Sequence, residues 1–154
     1  HKIMQNLTYL ETEKQVAELV EKMFLNGSLP KEMETEINPQ WVVNAINKIK
    51  PLLKPNSIVK KEQQFLLSEK YCNLVASDID QKVIIQGVID LIVINENKAI
   101  VVDFKTNKTK NKQNLVNNYN LQLSIYAKAV QSAYKVESVK KLLYSFELNE
   151  LIEV

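Results

Sequence analysis

Two aspartates and a lysine stand out because they interrupt segments that are otherwise apolar. Asp90 lies within the apolar run 83–94, and Asp103 and Lys105 lie at the end of a second run, 99–105. In a strand, residues two apart share a face, so Lys105 projects beside Asp103. Carboxylates are costly to bury unless a partner neutralises them. Two acids and one amine in a small volume suit the binding of a divalent cation and the orientation of water against a phosphodiester.

The four residues between the two runs, NENK at 95–98, are typical of a turn. An antiparallel hairpin with a two- or four-residue loop there pairs Ile94 with Ala99 and places Asp90 directly opposite Asp103. Opposed side chains have Cβ atoms about 5 Å apart, which suits a hard cation such as Mg²⁺ or Mn²⁺. A three-residue loop would place the aspartates on opposite faces. Either aspartate taken alone is also explained as a residue that caps a turn.

The remaining segments predict the elements that hold this hairpin. Apolar residues at three-and-four spacing over 1–50 predict helices, including one through residues 4–10, with Thr12 and Asn38 as caps. Three further elements are predicted: strands over 57–68 and 139–148, and a helix over 119–134. This order indicates an α/β fold with a mixed sheet, whose continuous apolar strands are covered on both faces.

Composition limits the class of protein. The chain has 154 residues, 45% hydrophobic and 25% charged, which fits one domain with one core. No apolar run approaches the twenty residues of a membrane span. The single cysteine, Cys72, excludes an internal disulfide framework, a cysteine-ligated zinc site and an iron–sulfur cluster. We therefore expect a reducing, cytoplasmic location. The formal net charge of +2 by itself predicts no partner.

A basic segment follows the second apolar run. It contains Lys108, Lys110 and Lys112. These lysines would bind the phosphates of a DNA strand without reading its sequence, or they belong to an ordinary solvated loop. No motif for base readout, such as a helix-turn-helix or a zinc finger, is recognisable in the sequence.

Several motifs together resemble a known family. Gly87 and Asp90, followed by the turn and by Asp103 and Lys105, resemble the G-x-x-D…D-x-K core of the PD-(D/E)XK nuclease superfamily. Three further segments resemble its RecB-like nuclease domain: the histidine motif HKIMQ at 1–5, the E-x-x-F strand at 62–65 and the Q-x-x-x-Y helix at 122–126. The resemblance spans essentially the whole chain and is nearest to the C-terminal nuclease domain of AddA-type helicase–nucleases.

The resemblance implies a restriction-endonuclease-like fold, in which helices flank a mixed central sheet and a helical segment precedes it. Residues 1–154 would form a single nuclease domain, with an N-terminal helical part at 1–55 and a catalytic core at 56–154. The domain would be a fragment of a larger helicase–nuclease. No phosphate-binding G-x-x-x-x-G-K-[ST] motif occurs in the chain, so the helicase would lie elsewhere in the parent protein.

The resemblance also implies a role for each site residue. A Mg²⁺ ion, with Mn²⁺ as an alternative, would be ligated by His1, Asp90, Asp103 and the main-chain carbonyl of Phe104. Lys105 would position the attacking water and stabilise charge on the phosphate. The remaining catalytic residues, which flank the site, would be Gln122 and Tyr126. His1 is also explained as the remnant of a purification tag.

The function implied is that of a metal-dependent DNA exonuclease. It would cut a single strand delivered by a helicase during double-strand break repair and recombination, and a further candidate partner is a second nuclease subunit. Two alternatives remain open at this point. One is a stand-alone exonuclease of the same superfamily. The other is a non-catalytic DNA-binding or assembly module that keeps the fold.

Overall fold

The computed structural model describes residues 1–154, in which two units are distinguished, residues 1–53 and residues 54–154. The first unit contains helices α1 (Glu13–Leu25) and α2 (Pro39–Ile49). The side chain of Thr12 accepts a hydrogen bond from Gln15 N, and Gln15 Oε1 accepts one from Thr12 N. Such reciprocal bonds satisfy two backbone donors that the first helical turn leaves free. Asn38 caps α2 by accepting from Gln40 N at 2.9 Å. Both predicted caps are confirmed.

The predicted helix through residues 4–10 is wrong. Only one 3-10 turn, Met4–Asn6, forms there; the backbone is extended at Leu7 and left-handed at Tyr9, with a φ of 64°. The backbone N–H and the hydroxyl of Thr8 both donate to Glu11 Oε1, at 2.6 and 2.9 Å. Side-chain bonds of this kind offer the backbone an alternative to the helix.

The second unit is built on a five-stranded sheet in the order β1-β2-β3-β4-β5. Its strands are β1 (Ile58–Lys70), β2 (Lys82–Asn95), β3 (Lys98–Lys105), β4 (Ser138–Ser145) and β5 (Glu150–Glu153). All neighbours are antiparallel except β3 and β4, which are parallel. Parallel neighbours need a long crossover, and helix α3 (Lys112–Tyr134) supplies it. The predicted mixed α/β fold is confirmed.

Helix α3 covers one face of the sheet. A continuous core joins its apolar residues to those of the central strands, including Leu123, Tyr126, Ile92, Val101 and Leu143. These side chains are almost completely buried. The sheet and α3 therefore form two packed layers. This packing can hold side chains at the ends of the strands and of the helix in fixed positions.

Two predicted boundaries in this unit were wrong. Helix α3 begins at Lys112 rather than at residue 119, because Asn111 caps it by accepting from Gln113 N and Asn114 N. The strand predicted over 139–148 ends at Ser145 as β4, and a turn then leads to a further strand, β5. In that turn Asn149 has a φ of 50° and Ser145 Oγ accepts from Leu148 N.

Candidate active site

The hairpin β2–β3 has the predicted register. Ile94 pairs with Ala99, and the ladder continues to Leu91 paired with Val102. The next position would pair Asp90 with Asp103, but the ladder ends there. Beyond it, β2 pairs only with β1 and β3 only with β4. The sheet therefore opens between its two central strands at the level of the two aspartates.

The Asp90 side chain provides a hydrogen-bond acceptor for β3 at the point where the backbone ladder with β2 has ended. Its Oδ2 atom accepts a hydrogen bond from Phe104 N at 2.9 Å. The Phe104 ring is buried and packs against Tyr144 and Phe146, with centroids 6.2 and 6.0 Å away. The main chain at Phe104 is therefore held both by its hydrogen bond to Asp90 and by the packing of its own ring.

The two carboxyl groups lie within hydrogen-bonding reach of each other in a poorly solvated position. Burial raises the pKa of Asp103 to about 6, against the lowering effect of Lys105, and the charge of Asp90 adds to the increase. Burial also raises the pKa of Asp90, although the bond from Phe104 N opposes the shift. Their negative charge is thus only partly compensated by the protein, as expected for a pair that binds a cation.

Lys105 supplies the compensating charge. Its Nζ atom lies 2.7 Å from Asp103 Oδ2 and donates to Gln122 Oε1 at 3.1 Å. Gln122 Nε2 in turn donates to the Tyr126 hydroxyl at 2.9 Å. Burial raises the pKa of Tyr126 to about 12, and the charges of Asp103 and Asp90 contribute. The tyrosine is therefore a neutral group at the end of a continuous polar chain.

The structure thus brings together all five side chains predicted as catalytic: Asp90, Asp103, Lys105, Gln122 and Tyr126. The hairpin register places the first three, and the i, i+4 spacing on α3 places the last two on one helix face. Phe104 is adjacent through its main chain. His1 belongs to the first unit, where its carbonyl accepts from Gln5 N at 3.1 Å, and its role as a metal ligand stays a prediction.

Tyr119 was not assigned a place in the site from the sequence. The ring of Tyr119 lies 3.9 Å from Lys105 Nζ, a cation–π contact. The Tyr119 hydroxyl is fixed by the amide of Asn107, with bonds of 2.9 and 3.2 Å. The relevant signal was available, since Tyr119 precedes Gln122 by three residues and so shares its helix face.

Phe65 and Glu62 of β1, which form the E-x-x-F motif of the resemblance, also lie in this region. Phe65 pairs with Gly87, and its ring occupies the space that a side chain there would need, with Cε1 2.9 Å from an added Cβ. The same ring packs edge-on against Tyr126 at 5.5 Å. Glu62, opposite Asp90 in β1, has a φ of 49°, and its negative charge further raises the pKa of Asp90. The sequence shows the spacing of Glu62 and Phe65, but it does not show which residues of β2 these two residues face.

The basic segment is shorter than predicted. Lys108 and Lys110 are exposed between β3 and α3. Lys112 instead opens α3 and forms an ion pair with Glu150 of β5. The three lysines are therefore not equivalent, and their contact with DNA stays a prediction.

The donor set is consistent with a hard cation. Mg²⁺ is commonly held by one or two carboxylates, with water and substrate phosphates completing its coordination. Asp90 and Asp103 offer two such carboxylates, and their raised pKa values indicate negative charge that the protein does not fully neutralise. Within this unit no group of three or more His, Cys, Asp or Glu side chains is arranged to hold a metal.

Comparison with known proteins agrees with this geometry. The family described as "PD-(D/E)XK nuclease superfamily" matches residues 1–152. The A subunit of the ATP-dependent helicase/nuclease of Ligilactobacillus salivarius is 28% identical over 140 residues, covering 89% of this chain and 11% of the relative. The corresponding protein of Oceanobacillus iheyensis is 30% identical over 167 residues, covering 100% of this chain and 13% of the relative. The chain therefore spans about one eighth of the length of these relatives.

Among solved structures, the crystal structure of SSO0001 aligns with 99% of this chain and 64% of its own, at 17% identity and a TM-score of 0.38. A similarity at this level carries no functional argument. No helix of the chain has both the length and the apolar character that a membrane span requires.

Proposed function

Because the chain belongs to the PD-(D/E)XK nuclease superfamily, we propose that it is a metal-dependent DNA nuclease domain that works with a helicase in double-strand break repair. One observation carries the proposal: Asp90, Asp103 and Lys105 meet where β2 and β3 separate. Beyond Leu91 and Val102 the two strands no longer pair, and Asp90 Oδ2 accepts from Phe104 N instead. Relatives named as a subunit of an ATP-dependent helicase/nuclease support the helicase partner and the nuclease action. Exonuclease action is part of the proposal.

In this proposal the two aspartates hold Mg²⁺, or alternatively Mn²⁺, with the main-chain carbonyl of Phe104 and His1 as further ligands. When bound, the ion would polarise the scissile phosphate and lower the pKa of a bound water. The hydrogen bond from Phe104 N orients the Asp90 carboxylate through one oxygen. No iron–sulfur cluster takes part.

Lys105 performs a different task, because an ammonium cannot ligate a cation. It lies between Asp103 and Gln122, where it can donate to water and to a phosphate oxygen. Negative charge on the phosphate grows toward the transition state, and a fixed ammonium stabilises it there. Gln122 and Tyr126 hold the ammonium in place and limit its alternative orientations.

The proposal is tested by cleavage of an end-labelled DNA single strand in Mg²⁺ and in EDTA, together with calorimetric Mg²⁺ titration. The wild type should cut and bind metal. Asp103→Asn should do neither, since it removes a ligand charge while keeping the shape. Asp80→Asn is the matched control, because Asp80 is exposed and pairs with Lys70 far along the sheet. Retained cleavage in Asp103→Asn would show that the activity does not depend on Asp103. A wild type that binds DNA but neither binds metal nor cuts would favour the non-catalytic module.

A further inference from the structure

A cavity of about 420 Å³ lies beside the hydrogen-bonded series formed by Lys105, Gln122 and Tyr126. The proposed chemistry gives the cavity itself no role. Its floor is formed by Phe65, Ile85 and Gly87 of strands β1 and β2. Its wall is one face of α3, where the lining residues follow the helical spacing i, i+3, i+4, i+7: Asn118, Leu121, Gln122 and Ile125. The volume lies in the usual range of small-ligand sites.

The lining has a definite chemical character. No charged side chain lines the cavity, although charged groups lie just beyond it. Apolar and aromatic surfaces dominate, and the side chains that can hydrogen-bond are chiefly amides such as Gln86 and Asn118. Leu121 is 46% exposed at the cavity, an apolar surface that water covers in the free chain. Such a lining suits a flat, neutral group with amide-like edges.

The position of the cavity identifies the source of that group. Gln122 and Tyr126 line it, and the same two side chains continue the polar chain from Lys105. A strand whose phosphate lies at Asp103 and Lys105 therefore has its neighbouring nucleotide next to this opening. Phosphates would be held by the charged groups, and the uncharged cavity is left for a base.

We infer that the cavity is a subsite for one nucleobase of the bound strand, flanking the scissile phosphate. The inference rests on the proposed function for its position in the reaction. The base would lie against Leu121, Ile125 and the ring of Phe65, and the amide side chains would contact its edge. Contacts of bases with apolar and aromatic surfaces tolerate any sequence, because every base has a π-face. The apolar and aromatic contacts would therefore hold the strand in register with any base, and any preference among bases would come from the amide contacts to the base edge.

Gly87 has a clear part in this arrangement. Its φ is not in the left-handed range, so its value lies in space rather than in backbone freedom. An added Cβ would lie 2.9 Å from the Phe65 ring. The ring can rest on the strand and form the floor only because no side chain is present at this position.

The test combines a base deletion with a wall deletion in the 154-residue chain. Binding of a fluorescent tetrathymidylate and of its fully abasic counterpart is measured by anisotropy in EDTA, for wild type, Leu121→Ala and Leu66→Ala. Leu66 is the matched control, because it is 70% exposed in β1 and does not line the cavity. In parallel, a longer strand with one abasic residue is cut under single-turnover conditions in Mg²⁺, and each cleaved bond is mapped.

The wild type should prefer the tetrathymidylate over its abasic counterpart on the order of tenfold, the effect of one base contact. Leu121→Ala should lose most of this preference, and Leu66→Ala should keep it. Cleavage by the wild type should be suppressed at a fixed offset from the abasic residue. An equal preference in wild type and Leu121→Ala overturns the subsite. Base discrimination in binding without any metal-dependent cleavage supports the subsite and removes the proposed nuclease activity, so the two failures are distinguishable.

Discussion

The two ends of β2 differ in a way that explains where the site lies. Residues 91–94 have strand neighbours on both sides and are buried without interruption. Residues 82–89 pair only with β1, and exposed and half-buried positions alternate along most of them. Asp90 lies at the boundary between these two parts of the strand. The first end is a packed core strand, and the second is half of a two-stranded ribbon.

This difference shows how the sheet brings two carboxylates close together at the point where strand pairing changes. Two poorly solvated like charges repel each other, so their proximity is costly unless a partner compensates it. Because β3 pairs with β4 alone beyond Val102, the aspartates lie next to the packed core on one side and to the two-stranded ribbon on the other.

The largest effect is expected from removing bulk in the packed end. Leu91 is 0% exposed, so Leu91→Ala should lower the free energy of unfolding by about 2–5 kcal/mol. The same chemical change in the ribbon, Leu66→Ala, should alter it by no more than about 0.5 kcal/mol. Urea denaturation of both variants makes the measurement. Similar losses in the two would mean that the ribbon is as well packed as the core.

The next effect concerns chemistry at the opening. Lys105→Ala should slow single-turnover cleavage by about a hundredfold or more, as expected for one preorganised electrostatic group. Mg²⁺ affinity should not fall, because a neighbouring positive charge is removed. Lys105→Arg should rescue poorly, since the wider planar group does not fit the contacts with Asp103 and Gln122. A parallel loss of metal binding and rate in Lys105→Ala would indicate that the lysine only supports the carboxylates.

The raised pKa of Asp103 predicts an unusual pH dependence of stability. Its folded pKa of about 6 exceeds the ordinary aspartate value of 3.8, so the folded chain binds this proton more tightly than the unfolded chain. Stability from this group is therefore greatest below pH 4 and is lost as the pH rises to about 6, by roughly 2–3 kcal/mol.

The measurement is the difference in unfolding free energy between wild type and Asp103→Asn from about pH 4 to 7 without metal, which removes contributions common to both. Asp80→Asn is the control and should show no such difference. A difference that stays constant over this range would mean that Asp103 is solvated like an ordinary surface carboxylate.

A smaller effect is expected from the ring beneath Lys105. A cation–π contact contributes about 0.5–2 kcal/mol, so Tyr119→Leu should slow cleavage by roughly tenfold. Tyr119→Phe keeps the ring but loses the bonds to Asn107 and should have a smaller effect. Single-turnover rates of the two variants decide this. Equal rates in wild type and Tyr119→Leu would exclude a positioning role for the ring.

The smallest effect concerns the lysines outside the site. Replacing Lys108 and Lys110 by alanine should make the salt dependence of DNA binding shallower, by about one unit of slope for each lost phosphate contact. Lys112→Ala should change the slope less, because this side chain is already paired with Glu150. Lys98→Ala at the opposite end of β3 is the control. An unchanged slope in the double variant would mean that the segment is an ordinary solvated loop that does not contact DNA phosphates.

The hairpin and the family could be predicted because their signals are local. A two-residue turn between two apolar runs fixes the pairing parity, so the pairing of Ile94 with Ala99 followed from the residues alone. The same parity brought Asp90 and Asp103 to one level. Helix caps at Thr12 and Asn38 are equally local and were confirmed.

Other features depend on contacts that no local pattern carries. The start of α3 was missed because residues 112–118 are mostly polar and rich in asparagine, a poor helix former. The pairing of Phe65 with Gly87 depends on a register across a long connection, which no turn chemistry sets. The contact of Tyr119 with Lys105 requires the path of the segment between β3 and α3. The sequence thus predicted the arrangement of site residues within the hairpin and within α3, but not the contacts of these elements with each other or with β1.

The left-handed backbone at Glu62 has a consequence for the behaviour of the isolated chain. β1 is an outer strand of 13 residues, and a long free edge invites pairing with the extended segments of other molecules. At Glu62, with a φ of 49°, the ladder with β2 skips one pair, so the edge is divided into two short stretches. Lys60 and Lys61 precede this point and add charge to it. The irregularity opposite Asp90 thereby also limits edge-to-edge aggregation.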